Sequence, residues 1–148
     1  MSVDVSIERT ASSELVDGLN QLLPQLSSSA EPLTLASLEQ MLLSDAVTLF
    51  AARLNGRIVG TLTLVVFPIP SGRRAWIEDV VVDQKSRGNG VGDALTRAAI
   101  EHATTLQVRS VDLTSRPSRE AANALYVKLG FQRRETNVFR FLVETDDL

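Results

Sequence analysis

The stretch at residues 76–92, Trp-Ile-Glu-Asp-Val-Val-Val-Asp-Gln-Lys-Ser-Arg-Gly-Asn-Gly-Val-Gly, constrains the fold more than any other part of the chain. Its first half is a strand by composition, because Ile77, Val80, Val81 and Val82 are β-branched and favour an extended backbone. Its second half sets Gly88, Gly90 and Gly92 within five residues, where the main chain can come close to a ligand with no Cβ in the way. A helix beginning near Gly90 offers free N–H groups and a positive dipole end, and Arg87 adds charge. The combination is a cradle for a phosphate or pyrophosphate. Without a ligand it is a tight strand-to-helix connection, which needs neither so many glycines nor Arg87. The spacing is not that of a P-loop or a dinucleotide fingerprint, since no Gly-Lys-Ser/Thr follows and no βαβ unit begins the chain.

The segments around this stretch define its setting. Residues 3–7 alternate as a half-buried strand. Leu15, Leu19, Leu22 and Leu26 recur at helical spacing behind Ser12 or Ser13 as cap, and Thr34 caps a second helix with Leu35, Leu38 and Leu42 inside. Residues 47–54 and 58–67 are β-rich and meet at Asn55-Gly56, the strongest short hairpin signal because both residues tolerate positive φ. Residues 68–72 turn the chain into a third strand, 73–82. After the glycines, Val91, Leu95, Ala98 and His102 mark one face of a helix, His102 as a structural residue. Residues 108–114 then alternate as a strand reached by a crossover. Ser118 can cap a last helix with Ala121, Ala122, Leu125 and Leu129 as its packed stripe, ended by Gly130. Residues 136–143 read as a final strand, apolar at Val138, Phe139, Phe141 and Leu142. The expected fold is α/β: a mixed, mostly antiparallel central sheet with helices on both faces.

A length of 148 residues suits one domain, 1–148, with a substantial core. A net charge of −3 and 5% aromatic residues argue against a nucleic-acid partner. The chain has no cysteine, which excludes disulfides, a thiolate metal site and a cysteine nucleophile. With one histidine, a histidine-rich metal site is excluded too, so no metal is expected. The N-terminus lacks a basic segment followed by an apolar run, and the longest apolar stretch, 62–67, is too short for a bilayer. The expectation is a cytoplasmic protein with no membrane partner.

This order of elements resembles the GNAT superfamily of N-acetyltransferases across essentially the whole chain. Arg87-Gly88-Asn89-Gly90-Val91-Gly92 fits that family's Gln/Arg-x-x-Gly-x-Gly/Ala signature after a Val-Val-Val strand. Residues 122–131, Ala-Asn-Ala-Leu-Tyr-Val-Lys-Leu-Gly-Phe, are similar to its helix ending in Leu-Tyr-x-x-Leu-Gly-Phe. The resemblance implies an acyl-CoA N-acyltransferase fold and acetyl-CoA as cosubstrate. Its pyrophosphate would lie on the amides of Arg87, Gly88, Asn89, Gly90, Val91 and Gly92, and its pantetheine on Val80, Val81 and Val82, provided the sheet splays beside them. The implied reaction is direct attack by a small-molecule or peptide amine on the thioester, in a ternary complex.

Within that resemblance Tyr126 is the candidate general acid toward the thiolate, and Glu78 the candidate base for the amine. Read alone, Tyr126 is rather a packing residue with an exposed hydroxyl, and Glu78 is equally a strand carboxylate pairing with Arg73 or Arg74. Strand alternation puts Glu78 on the face of Val80, with Asp79 opposite. Arg116 and Arg119 either bind an anionic acceptor or the CoA phosphates, or are surface charges. Many relatives carry a cofactor-contacting asparagine seven residues before the tyrosine, where this chain has Arg119. The nearest substitute is Asn123. Two further readings follow: an acyl-CoA-binding sensor without turnover, and a homodimer formed by pairing the strand at 136–143.

Overall fold

The computed structural model describes residues 2–143. Two compact units divide the chain, Met1–Arg116 and Pro117–Leu148. The first contains strand β1 (Asp4–Glu8), helices α1 (Ser13–Leu26) and α2 (Leu35–Leu42), and strands β2 (Val47–Leu54), β3 (Arg57–Ile69) and β4 (Gly72–Val82). Helix α3 (Val91–Thr105) and the short strand β5 (Val111–Asp112) complete it. The sheet order is β1-β2-β3-β4-β5, antiparallel until the parallel β4–β5 pair.

Local chemistry accounts for these elements. Ser12 caps α1 by accepting from the Leu15 N–H at 3.2 Å. Thr34 caps α2, and Ser37 returns the bond to the Thr34 N–H at 2.9 Å, a closed capping box. Asn55 and Gly56 take φ of 52° and 79°, the left-handed pair that a tight hairpin demands. Beyond that turn, β3 and β4 pair as far as Ile69 and Gly72, so the turn expected over 68–72 shrinks to two residues.

The middle of the sheet is buried on both faces. Leu15, Leu19, Leu22 and Leu38 of α1 and α2 pack with Leu49, Ile58 and Val81. Burying each such side chain stabilises the fold by about 1.5–3 kcal/mol. Gly18 of α1 is needed there, because a Cβ would lie 3.0 Å from the Ile58 side chain. On the opposite face α3 covers Gly60, where an added Cβ would meet Val91 at 2.8 Å. His102 stacks edge-on to Phe50 there, ring centroids 5.9 Å apart, the structural role expected of it.

The second unit holds helix α4 (Glu120–Lys128). Its N-cap is Arg119 rather than the expected Ser118, with no side-chain cap bond, and none of its residues is fully buried. The expected strand at 136–143 is absent: these residues pair with no strand among the described residues. Phe139 and Phe141 are each 89% exposed. The physical reason lies in the pattern, since apolar pairs at 138/139 and 141/142 put apolar groups on both faces. Such a segment is a strand only between neighbours. Within a single chain the segment has no such neighbour among the described residues.

Candidate functional site

Strand β4 changes character halfway along. Ala75 and Trp76 pair in parallel with Val111 and Asp112, and among the described residues the pairing with β5 stops there. The strand expected over 108–114 is thus only two residues long. Beyond Trp76 no strand pairs with the outer edge of β4 among the described residues, and residues 80–82 lie on that stretch. An edge left open there leaves room for a peptide-like arm, and nothing in the sequence foretold it.

A β-bulge lies at the same place. Thr61 pairs with Val81 and Thr63 with Glu78, so Asp79 and Val80 together oppose Leu62. Asp79 takes φ of 49°, a conformation that Asp tolerates better than the β-branched residues around it. The extra residue overturns one expectation. Glu78 shares a face with Thr63, Thr61 and Val81, the side covered by α1 and α2, and not with Val80. It is exposed, and it makes no ion pair with Arg73 or Arg74 among the described residues. Arg73 instead donates to the Leu106 carbonyl at 2.9 Å.

Past β4 the chain makes a short 3-10 turn, Gln84–Ser86, and enters the glycines. Gly88 and Gly90 have φ of 84° and 77°, and a Cβ on either would meet nothing within 4 Å. Gly90 is the N-cap of α3 and no side chain caps that helix. The leading N–H groups of α3 thus have no partner within the helix or from a capping side chain. Arg87, Gly88, Asn89 and Gly90 are exposed, while Val91 is buried and Gly92 partly so. Asn89 turns its amide inward, donating to the Ser86 carbonyl at 2.9 Å. Gln25 at the end of α1, which no sequence signal marks, accepts from the Gln84 N–H at 3.0 Å and so fixes the approach to the turn. Open space at two left-handed glycines, an uncapped helix start and a bare strand edge together fit a pyrophosphate continued by a peptide-like arm. Among the described residues no cluster of His, Cys, Asp and Glu could hold a metal, and no helix is long and apolar enough to cross a membrane.

In the second unit α4 ends in a closed glycine turn. The Gly130 N–H donates to Val127 at 3.1 Å and the Phe131 N–H to Tyr126 at 3.0 Å, the Schellman pattern. Tyr126 and Phe131 complete it with an edge-on ring contact at 5.7 Å. Burial pushes the Tyr126 phenol above its ordinary 10.0, against a smaller opposing pull from Arg119. The phenol is therefore a proton donor, not an anion, throughout the neutral range. Asn123 is half-buried, its N–H bonded to the Arg119 carbonyl at 3.0 Å.

Known proteins resemble this chain in sequence and fold. The sequence pattern of the Acetyltransferase (GNAT) family matches residues 15–131. The chain is 34% identical over 103 residues to the L-2,4-diaminobutyric acid acetyltransferase of Marinococcus halophilus, covering 70% of this chain and 59% of that protein. It is 39% identical over 89 residues to the glucosamine 6-phosphate N-acetyltransferase of Trypanosoma brucei brucei, covering 58% of each. The chain thus spans less than two thirds of the length of these relatives. The crystal structure of a Trypanosoma brucei acetyltransferase superposes with a TM-score of 0.78 at 28% identity, covering 95% of this chain and all of that one. The chain belongs to the acetyltransferase (GNAT) family.

Proposed function

We propose that this protein is an acetyl-CoA-dependent N-acetyltransferase that moves an acetyl group to a primary amine by direct attack in a ternary complex. The observation that carries the reading is the bare edge of β4 leading straight into an uncapped, glycine-lined helix start. Acetyl-CoA, when bound, supplies an activated thioester. Residues 87–92 hold its diphosphate through backbone N–H groups, with Arg87 adding charge. Val80, Val81 and Val82 align the pantetheine, and a backbone N–H of this segment donates to the oxyanion. Glu78, on the α1 and α2 side of the sheet, takes the proton of the acceptor amine directly or through water. Tyr126, kept protonated by burial, donates to the departing sulfur.

The absence of cysteine supports direct transfer, since a cysteine-borne acyl intermediate has no residue to form on. Relatives named for L-2,4-diaminobutyric acid and glucosamine 6-phosphate support a small amine as acceptor. The protein is proposed to work in the cytoplasm. Acetylation of a pool of amines, read by mass spectrometry, tests the proposal. Transfer to one or more amines is expected; acetyl-CoA binding with transfer to none would identify an acyl-CoA sensor instead.

A further inference from the structure

The face of the sheet that carries Glu78 continues past the cover of α1 and α2. Leu49, Thr63 and Glu78 form one row across β2, β3 and β4, and Leu49 is sealed under α1 and α2. In the rows beyond, Val65 lies opposite Trp76 and Phe67 opposite Arg74. All four of these side chains are only partly buried. Arg74, Trp76 and Glu78 therefore follow one another along a single face of β4. They make an apolar floor with a cation at one end and a carboxylate at the other.

Arg74 is the unusual member. Its Nε is shut off from solvent and has no hydrogen-bond partner among the described residues. Buried charged donors are normally paired, so an orphaned guanidinium N–H marks a residue whose acceptor comes from elsewhere. Glu78 does not serve, because it lies four positions along the strand, about 13 Å away between Cα atoms.

We propose that Arg74 determines acceptor specificity: the substrate is a small primary amine whose far end carries a carboxylate or phosphate. The amine lies at Glu78, its stem crosses Trp76, and the anion meets the guanidinium, which turns outward onto it. A guanidinium suits such anions because its N–H groups engage two oxygens at once. An amine with a neutral tail leaves Arg74 unpaired and is selected against by that omission. The proposal rests on the transferase reading for its amine end.

Trp76 is the sole tryptophan, so its fluorescence reports occupancy of this face without any turnover. Two matched pairs are titrated in the presence of CoA: ε-aminocaproate against its neutral amide, and aminopentyl phosphate against aminopentanol. The anionic member of at least one pair should bind roughly tenfold tighter. Whichever pair shows it separates carboxylate from phosphate. Arg74→Gln should erase the advantage and Arg74→Lys retain part of it, both with unchanged acetyl-CoA affinity. Equal affinities within both pairs, an advantage that survives Arg74→Gln, or no response to any of these amines overturns the proposal. If Arg74→Gln does not fold, the wild-type pairs and Arg74→Lys decide. A failure of the transferase reading looks different: the wild type then transfers no acetyl group, whereas these titrations need no transfer.

Discussion

Two glycine turns carry the family's signature, and they use the same backbone conformation for opposite ends. Gly90 before α3 and Gly130 after α4 both take left-handed φ, 77° and 103°. At Gly130 the last carbonyls of α4 are satisfied within the turn, Val127 and Tyr126 accepting from the Gly130 and Phe131 N–H groups, and the Tyr126–Phe131 ring contact closes it. At Gly90 no side chain closes the turn, although α1 and α2 are capped by Ser12 and Thr34. One turn is satisfied by the chain itself. The other is left open by the chain's own side chains, as the proposed diphosphate site requires.

The sharpest way to break the comparison is to place an anion where the open turn expects one. Gly90→Glu should abolish acetyl-CoA binding in calorimetry, a loss of roughly 100-fold or more, because bulk and negative charge meet the diphosphate. Gly90→Ala is the control for left-handed strain alone and should lose far less. Wild-type affinity in Gly90→Glu would remove the cofactor from this turn.

Tyr126→Phe tests whether the closed turn also serves chemistry. Turnover should fall by roughly 100-fold with acetyl-CoA affinity nearly unchanged, since the ring packing stays and only the donor is lost. An unchanged rate, with the chemical step limiting, would leave Tyr126 as a capping residue. Its protonation can be followed alone, because it is the only tyrosine. The phenol's folded pKa lies above its unfolded one, so this group's stabilising contribution is complete below about pH 10 and is lost as pH rises through the folded value. Phenolate absorbance should therefore appear at higher pH in the native protein than in the denatured one. Gly130→Ala is the structural counterpart: about 1–2 kcal/mol of stability should go, seen as a lower melting temperature, with acetyl-CoA affinity intact.

The elements that local chemistry dictates were legible in the sequence: the Ser12 and Thr34 caps, the Asn55-Gly56 hairpin, the leucine stripe of α1 and the strand-to-helix glycine turn. What escaped depends on neighbours. The bulge at Asp79 follows from how β4 pairs with β3, and it reversed the face assigned to Glu78 because one inserted residue shifts the strand's alternation. The bare edge beyond Trp76 follows from where β5 stops. Residues 136–143 look like a strand only while a partner is assumed. Arg74 stands in the sequence only as a possible partner of Glu78, and the missing acceptor at its Nε depends on what packs around it.

Arg87 sharpens the comparison from its weak side. It is exposed at the mouth of the open turn, so its attraction to the diphosphate is expected to act through solvent. Exposed charges contribute little, and salt screens them further. Arg87→Gln should therefore weaken acetyl-CoA binding only about threefold at low ionic strength, and the difference from wild type should fade as salt is added. The backbone N–H groups of the turn are unaltered in that variant, and most of the affinity should stay with them. A loss as large as that of Gly90→Glu would shift the anion site from the helix start to the Arg87 side chain. An effect that persists at high salt would show that the guanidinium meets the ligand directly, out of solvent.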